Sequence, residues 1–318
     1  KEARSDVRHW ELGAGSWELG AGSWELIRVK GAVYVNGIIT PASGAVIPVY
    51  DHGFVYGEGV YETLRTYNRV PFLYDRHLRR LRASAAALHL DVPFDDDTLL
   101  GWIHDTIAVA ERSPDGLSTP TPPLPSLTEA TPAPSLVIIV KPFDEPPARM
   151  FDEGIKIVLV PILRNHPGSV NPIIKSNNLL NNALAMQEPR RRGGEEALMC
   201  NYRGELSECA QSNFFLVRDG VALTPRSASG LLEGLTRAFL FEVGGEVGVR
   251  VEEATLTPAD LTSAQEAFIT GSTRELTPVV RIDDQMIGNG RPGPVTRKLL
   301  EEFRRKAWEL TAQGAAAR

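Results

Sequence analysis

Cysteine is scarce: 318 residues hold two, Cys200 and Cys209. Two thiols cannot build a disulfide framework, so a reducing, cytoplasmic setting is expected. No apolar run reaches the length of a membrane span, and the first residues lack the basic, apolar, small order of a signal peptide. Positive charge is in deficit, with 34 Lys and Arg against 40 Asp and Glu, a net charge of -6. That balance argues against a nucleic-acid or anionic-membrane partner. The six histidines have no metal-ligand spacing, so no metal is expected. Gly53-Phe-Val-Tyr-Gly-Glu-Gly59 lacks the Lys-Ser/Thr ending of a nucleotide phosphate loop.

Hydrophobic residues make up 42% and charged residues 23%, the mix of a globular protein with room for one large or two ordinary domains. The unit Trp10-Glu-Leu-Gly-Ala-Gly-Ser16 repeats as Trp17 to Ser23 and restarts at Trp24. Gly-Ala-Gly-Ser forms helix poorly, so residues 1–27 are expected to be a flexible duplication or scar outside the fold.

Folded patterns begin near Val29. Ala32–Val35 and Ile38–Thr40 flank Asn36-Gly37, a hairpin signal. Tyr61–Tyr67 and Val70–Leu73 form a second strand pair around Asn68-Arg69. Asp75 is expected to cap a helix carrying Leu78, Leu81 and Ala85, and a second helix runs over about 95–111. The stretch 113–134 is rich in Pro, Ser and Thr and reads as a long surface loop. Strands are expected at 136–140, 155–160, 197–201, 206–209, 213–217, 249–252 and 267–270. Helices are expected at 176–192, from Thr236 onward, and at 294–312. The strands do not alternate regularly with helices, so the fold class is α+β rather than a doubly wound parallel sheet. Two domains are expected: a small α+β domain at 28–151 containing the 113–134 insertion, and a large domain at 152–312.

Two residues carry the chemistry. Lys175 ends the apolar stretch of Pro172-Ile-Ile-Lys175, just before an expected helix, where it is placed to form an imine. Glu208 precedes Ser212-Asn213 and a β-rich run, where a carboxylate can hold a protonated ring nitrogen. Together they suggest pyridoxal 5'-phosphate, whose chemistry needs both groups.

Six segments, in order, resemble the class IV aminotransferases, the pyridoxal-phosphate enzymes of fold type IV. They are Tyr50–Arg65, His77–Leu81, Ile174–Leu180, Leu206–Phe214, Leu232–Arg237 and Phe268–Pro278. The resemblance covers about Val29 to Leu310. It implies that Lys175 binds the cofactor and moves protons, and that Glu208 pairs with the pyridine nitrogen. It implies that Arg80 binds the phosphate, selected from the crowded Arg76, Arg79, Arg80 and Arg82. Backbone amides at Leu235 and Thr236, at a helix start, suit the same phosphate, and Ser272 and Thr273 match a second phosphate loop. The relatives are homodimers with a cofactor between two domains.

For substrate, the resemblance places Tyr56, Tyr61, Thr63 and Arg65 on pocket-facing positions, with Lys141 as a further cation. Typical branched-chain enzymes carry Phe and Gly where Tyr61 and Thr63 stand, and tyrosine where Leu180 stands. The implied reaction moves an amino group from an aliphatic, branched-chain-like amino acid to a 2-oxo acid. Alternatives are a D-amino acid or (R)-amine transaminase, an aminodeoxychorismate lyase, and a cofactor-free binding protein of the same fold.

Overall fold

The computed structural model describes residues 30–112, 120–121, 126–130 and 133–316. The repeat at 1–27 lies outside them. The first hairpin forms at its turn signal. Strands β1 (Ala32–Val35) and β2 (Ile38–Pro41) flank Asn36 and Gly37, whose φ of 46° and 99° are left-handed. Asp51 then caps α1 (His52–Val55), its carboxylate accepting from the Gly53 amide at 2.9 Å.

The expected strand over 61–67 breaks. Strand β3 (Gly59–Tyr61) stops at Tyr61, and a separate hairpin of β4 (Thr66–Tyr67) and β5 (Val70–Pro71) forms around Asn68 and Arg69. Between them Glu62 and Arg65 are drawn to partners off the sheet, described below. Helix α2 (Tyr74–Ala87) is not capped by Asp75, which lies in its first turn. Leu73 takes that place at φ 55°, and its carbonyl accepts from the amides of Arg76 and His77. Helix α3 (Asp96–Glu111) starts at a true cap, Asp95, which accepts from the Thr98 amide at 2.7 Å.

The Pro-rich stretch is not a plain loop. It contains β6 (Pro120–Thr121), β7 (Ser126–Ala130) and the start of β8 (Ala133–Pro142). Ser126–Ala130 contains no proline, so its amides and carbonyls serve ladders to β3 and β8 at once. The first sheet has the order β2-β1-β8-β7-β3, with β6 also on β8. Leu78, Leu81 and Ala85 of α2 and Leu99, Ile103 and Ile107 of α3 bury against Ala32, Val60, Ile138 and Val140.

After α4 (Arg149–Asp152) the chain enters a second sheet through β9 (Ile155–Leu159). The helix expected over 176–192 appears as α5 (Leu180–Ala185) and α6 (Gln187–Arg192). It starts late because residues 175–177 pair with β3. It breaks because Pro189 has no amide for the preceding turn. Strands β10 (Glu196–Cys200), β11 (Leu206–Cys209), β12 (Asn213–Arg218) and β13 (Val221–Pro225) follow, then α7 (Leu235–Val247). Strand β14 (Val251–Ala254) sits two residues later than expected, since the Val249 amide is used to close α7 on the Gly244 carbonyl. The chain ends with β15 (Glu266–Gly271), β16 (Glu275–Ile282), β17 (Gln285–Met286) and α8 (Pro294–Ala316).

The order is β11-β10-β9-β16-β15-β12-β13-β14, with β17 on β16. Strand β9 runs parallel to β10 and β16, and β13 parallel to β14, among antiparallel neighbours. This mixed sheet with helices is the α+β class. One face buries Phe215 stacked on Phe268 at 4.7 Å against Phe239 of α7 and Phe303 of α8. Tyr67 of β4 and Phe72, just past β5, join that core.

Candidate active site

A cavity of about 450 Å³ is lined by residues of both sheets. Lys175 reaches it from an extended segment rather than a helix start. Its carbonyl accepts from the Tyr61 amide at 3.0 Å, its amide donates to Ser84 Oγ of α2 at 3.1 Å, and the Asn177 amide donates to the Gly59 carbonyl. The lysine is thus laced to β3 and α2 on both sides. Its Nζ lies 4.3 Å from the centre of the Tyr61 ring, a favourable seat for a cation. Tyr61 and Thr63, two apart, both line the cavity.

Glu208 sits on β11 and is buried. One carboxylate oxygen accepts from Arg164 Nε at 2.7 Å; the other accepts from Asn213 Nδ2 and the Leu232 amide, each at 3.1 Å. Burial pushes its carboxyl above the ordinary range, against the pull of Arg164 and these donors. Asn213 also donates to the Leu232 carbonyl at 2.9 Å. Neither Arg164 nor Asn213 stood out in the sequence as a site residue, although Asn213 lies inside one of the six segments.

Arg80 projects from α2. Its Nε and Nη2 donate to the two oxygens of Glu62, both at 2.7 Å, and Nη1 donates to the Glu233 carbonyl at 2.9 Å. Glu62 is fully buried and also bonded to His77 Nδ1 at 2.6 Å. Burial alone would raise its carboxyl, but the Arg80 fork and His77 outweigh it and hold the group at about 2. Burial holds His77 below its ordinary value, against the pull of Glu62. Glu62 was missed as a site residue. Its signal was alternation, since Tyr61 and Thr63 turn to the cavity and the residue between them turns to α2.

Leu235 and Thr236 open α7 at the cavity, and no side chain caps that terminus. Gly234 stands there because a Cβ would come within 1.9 Å of Asn213 Oδ1. Ser272 and Thr273, in the turn between β15 and β16, complete the lining. Thr270 Oγ1, buried in the same lining, has no hydrogen-bond partner among the described residues.

Three expected substrate residues are not brought here. Arg65 donates to Glu275 Oε1 at 2.9 Å and packs over the Tyr67 and Phe143 rings, so a substrate carboxylate is not its partner in this arrangement. Tyr56 is 66% exposed beside His52. Lys141 is an exposed residue of β8. None of the three lines the cavity. Among the described residues no cluster could hold a metal ion, and no helix is long and apolar enough to cross a membrane.

An amine, a buried carboxylate, a guanidinium and a helix start thus line one cavity. The amino-transferase class IV family model matches residues 59–282. The chain belongs to that family, and it is an aminotransferase of fold type IV. It is 33% identical over 284 residues to a Methanocaldococcus jannaschii protein assigned by name to the branched-chain-amino-acid aminotransferases, covering 87% of this chain and 98% of the other. It is 32% identical over 291 residues to the D-alanine aminotransferase of Listeria innocua, with the same two coverages. The branched-chain amino acid aminotransferase of Thermobaculum terrenum in its PLP form superposes with a TM-score of 0.78 at 25% identity, covering 89% of this chain and 95% of that one.

Proposed function

We propose that this aminotransferase uses pyridoxal 5'-phosphate to move the amino group of an aliphatic, branched-chain-like amino acid to a 2-oxo acid. The observation that carries the reading is the convergence of Lys175, Glu208, Arg80 and the start of α7 on one cavity. Class IV aminotransferases depend on this cofactor, and the donor set here fits it. The amine of Lys175 suits an aldehyde and the carboxylate of Glu208 a ring nitrogen. The Arg80 guanidinium, the Leu235 and Thr236 amides and the Ser272 and Thr273 hydroxyls suit a phosphate. Thr270 Oγ1, without a partner among the described residues, marks a polar wall.

When bound, the cofactor supplies an aldehyde that links to amines and a ring that takes up electrons left by deprotonation. Lys175 Nζ would hold the cofactor through its aldehyde and would serve as the base that moves a proton at the substrate Cα. Glu208, fixed by Arg164, Asn213 and the Leu232 amide, keeps a proton on the ring nitrogen. Glu62 orients Arg80 toward the phosphate. Tyr61, Thr63, Ile174 and Leu179 wall the substrate side chain.

The branched-chain reading rests on this apolar wall and on the relatives' names. The second reading, a D-amino acid transaminase, rests on a D-alanine relative at nearly the same identity. We read the molecule as two domains divided near residue 151, acting as a cytoplasmic homodimer. Val46, Val49, Tyr50, Phe54 and Tyr56 are 66–86% exposed, an apolar surface suited to burial against a second copy. Both cysteines are free, in keeping with a reducing compartment.

The test compares L-leucine, L-valine, D-alanine and aminodeoxychorismate with one preparation. Faster amino transfer from L-leucine or L-valine is the expected result. Preference for D-alanine would keep the chemistry and reverse the stereochemistry. Pyruvate release from the chorismate compound exceeding all amino transfer would replace the reading with a lyase.

A further inference from the structure

Arg65 lies two residues past the cavity wall yet turns away from it, and its partner is unusual. Glu275 is a buried glutamate with φ 50°, in the left-handed region that side chains rarely adopt. It pairs with Gly271 and closes the turn that carries Ser272 and Thr273. Three donors clamp its carboxylate: Arg65 Nη1 at 2.9 Å, Tyr67 OH at 2.9 Å and Arg304 Nε of α8 at 2.7 Å. Two of them belong to the segment that runs on from Tyr61 and Thr63. Glu275 therefore ties two walls of the cavity together, one from β3 and its continuation, the other from the β15–β16 turn.

We propose that Glu275 is a positioning residue: its clamped carboxylate holds the Ser272–Thr273 turn at a set distance from the Tyr61–Thr63 wall, and so sets the grip on the cofactor phosphate. The clamp sustains a backbone conformation that the turn would otherwise leave. The inference rests on the reading of Ser272 and Thr273 as phosphate ligands. Glu275→Gln keeps the size of the side chain but removes the charge that gathers two arginines. Arg65→Met removes one of the two ties to the wall and leaves Tyr67 and Arg304 on Glu275. Arg304→Met removes a donor that does not reach the wall.

Two readouts test this. The first is the affinity of each protein for pyridoxal 5'-phosphate, measured by absorbance titration after the cofactor is stripped. The second is amide hydrogen exchange at 271–276 of the cofactor-free chain. Glu275→Gln and Arg65→Met should each weaken cofactor binding about tenfold, and kcat of the saturated enzyme should change much less. Arg304→Met should weaken binding less than either. Exchange should quicken in the turn while β9 and β10 keep wild-type protection. Cofactor affinity within about twofold of wild type in both Glu275→Gln and Arg65→Met would overturn the inference, as would faster exchange spread evenly over the chain. A wild-type chain that binds no cofactor would instead overturn the functional reading on which it rests.

Discussion

Lys175 and Glu208 differ in how their surroundings hold them. The lysine is held through its backbone, by Tyr61 and Ser84, which leaves its amine free over a ring face. The glutamate is held through its side chain by three donors. Lys175→Ala should therefore fold normally and lose nearly all turnover, since it removes both the covalent and the proton-moving group. Circular dichroism and a steady-state assay check both halves, and activity above about a tenth of wild type would refute the assignment. Glu208→Gln should still bind the cofactor but slow the half-reaction by about a hundredfold, because a neutral amide cannot stabilise a protonated ring. Stopped-flow spectroscopy of the half-reaction measures this, and an unchanged rate would place Glu208 away from the ring nitrogen.

Elements meet at the site through few atoms, so small additions should be felt. The start of α7 approaches β12 so closely that any Cβ at Gly234 would overlap Asn213 Oδ1. Asn213 holds both Glu208 and the Leu232 carbonyl. Gly234→Ala should push Asn213 off these partners and shift the helix end that faces the phosphate. The expected outcome is a chain folded like wild type with cofactor affinity reduced roughly tenfold or more, read by titration. Wild-type or tighter binding in the variant would show that the close approach has no consequence.

For the molecule as a whole, acid should act in part through one buried cluster. Glu62 in the folded state sits at about 2, below its ordinary 4.5, so its contribution is complete above 4.5 and is lost as pH falls toward 2. His77 is depressed below its ordinary 6.5, so the unfolded chain gains a proton first and stability starts to fall as pH drops below 6.5. The signs agree: both groups make the fold weaker in acid. Thermal melts of wild type from pH 7 to 3 should show Tm falling in two stages, with the lower stage near the carboxylate range. A Glu62→Gln variant should show a smaller lower stage, with the remainder coming from other depressed carboxylates such as Glu205. It should also be destabilised at pH 7 by several kcal/mol, because Arg80 is left half-buried without its counter-charge. A Tm independent of pH between 7 and 3 would show that the cluster does not govern stability.

Much of this molecule was legible in the chain because the deciding physics is local. Asn36-Gly37 dictates a hairpin within four residues, and the spacing of Leu99, Ile103 and Ile107 dictates a helix face within three turns. The six family segments, each confined to a short stretch of chain, named Lys175, Glu208, Arg80, Leu235, Thr236, Ser272 and Thr273, and the structure brings these to one cavity. What depended on partners far along the chain was not legible. Arg65 looked like a pocket residue, but its counter-charge is 210 residues away on a turn whose place is set only when both sheets assemble. Arg164 meets Glu208 across 44 residues, and Ser126–Ala130 becomes a strand because two edges are waiting for it. Sequence alone determines which groups are present and how each short segment prefers to bend. Only the tertiary structure decides which charge meets which, because that pairing depends on desolvation and distance across the assembled fold.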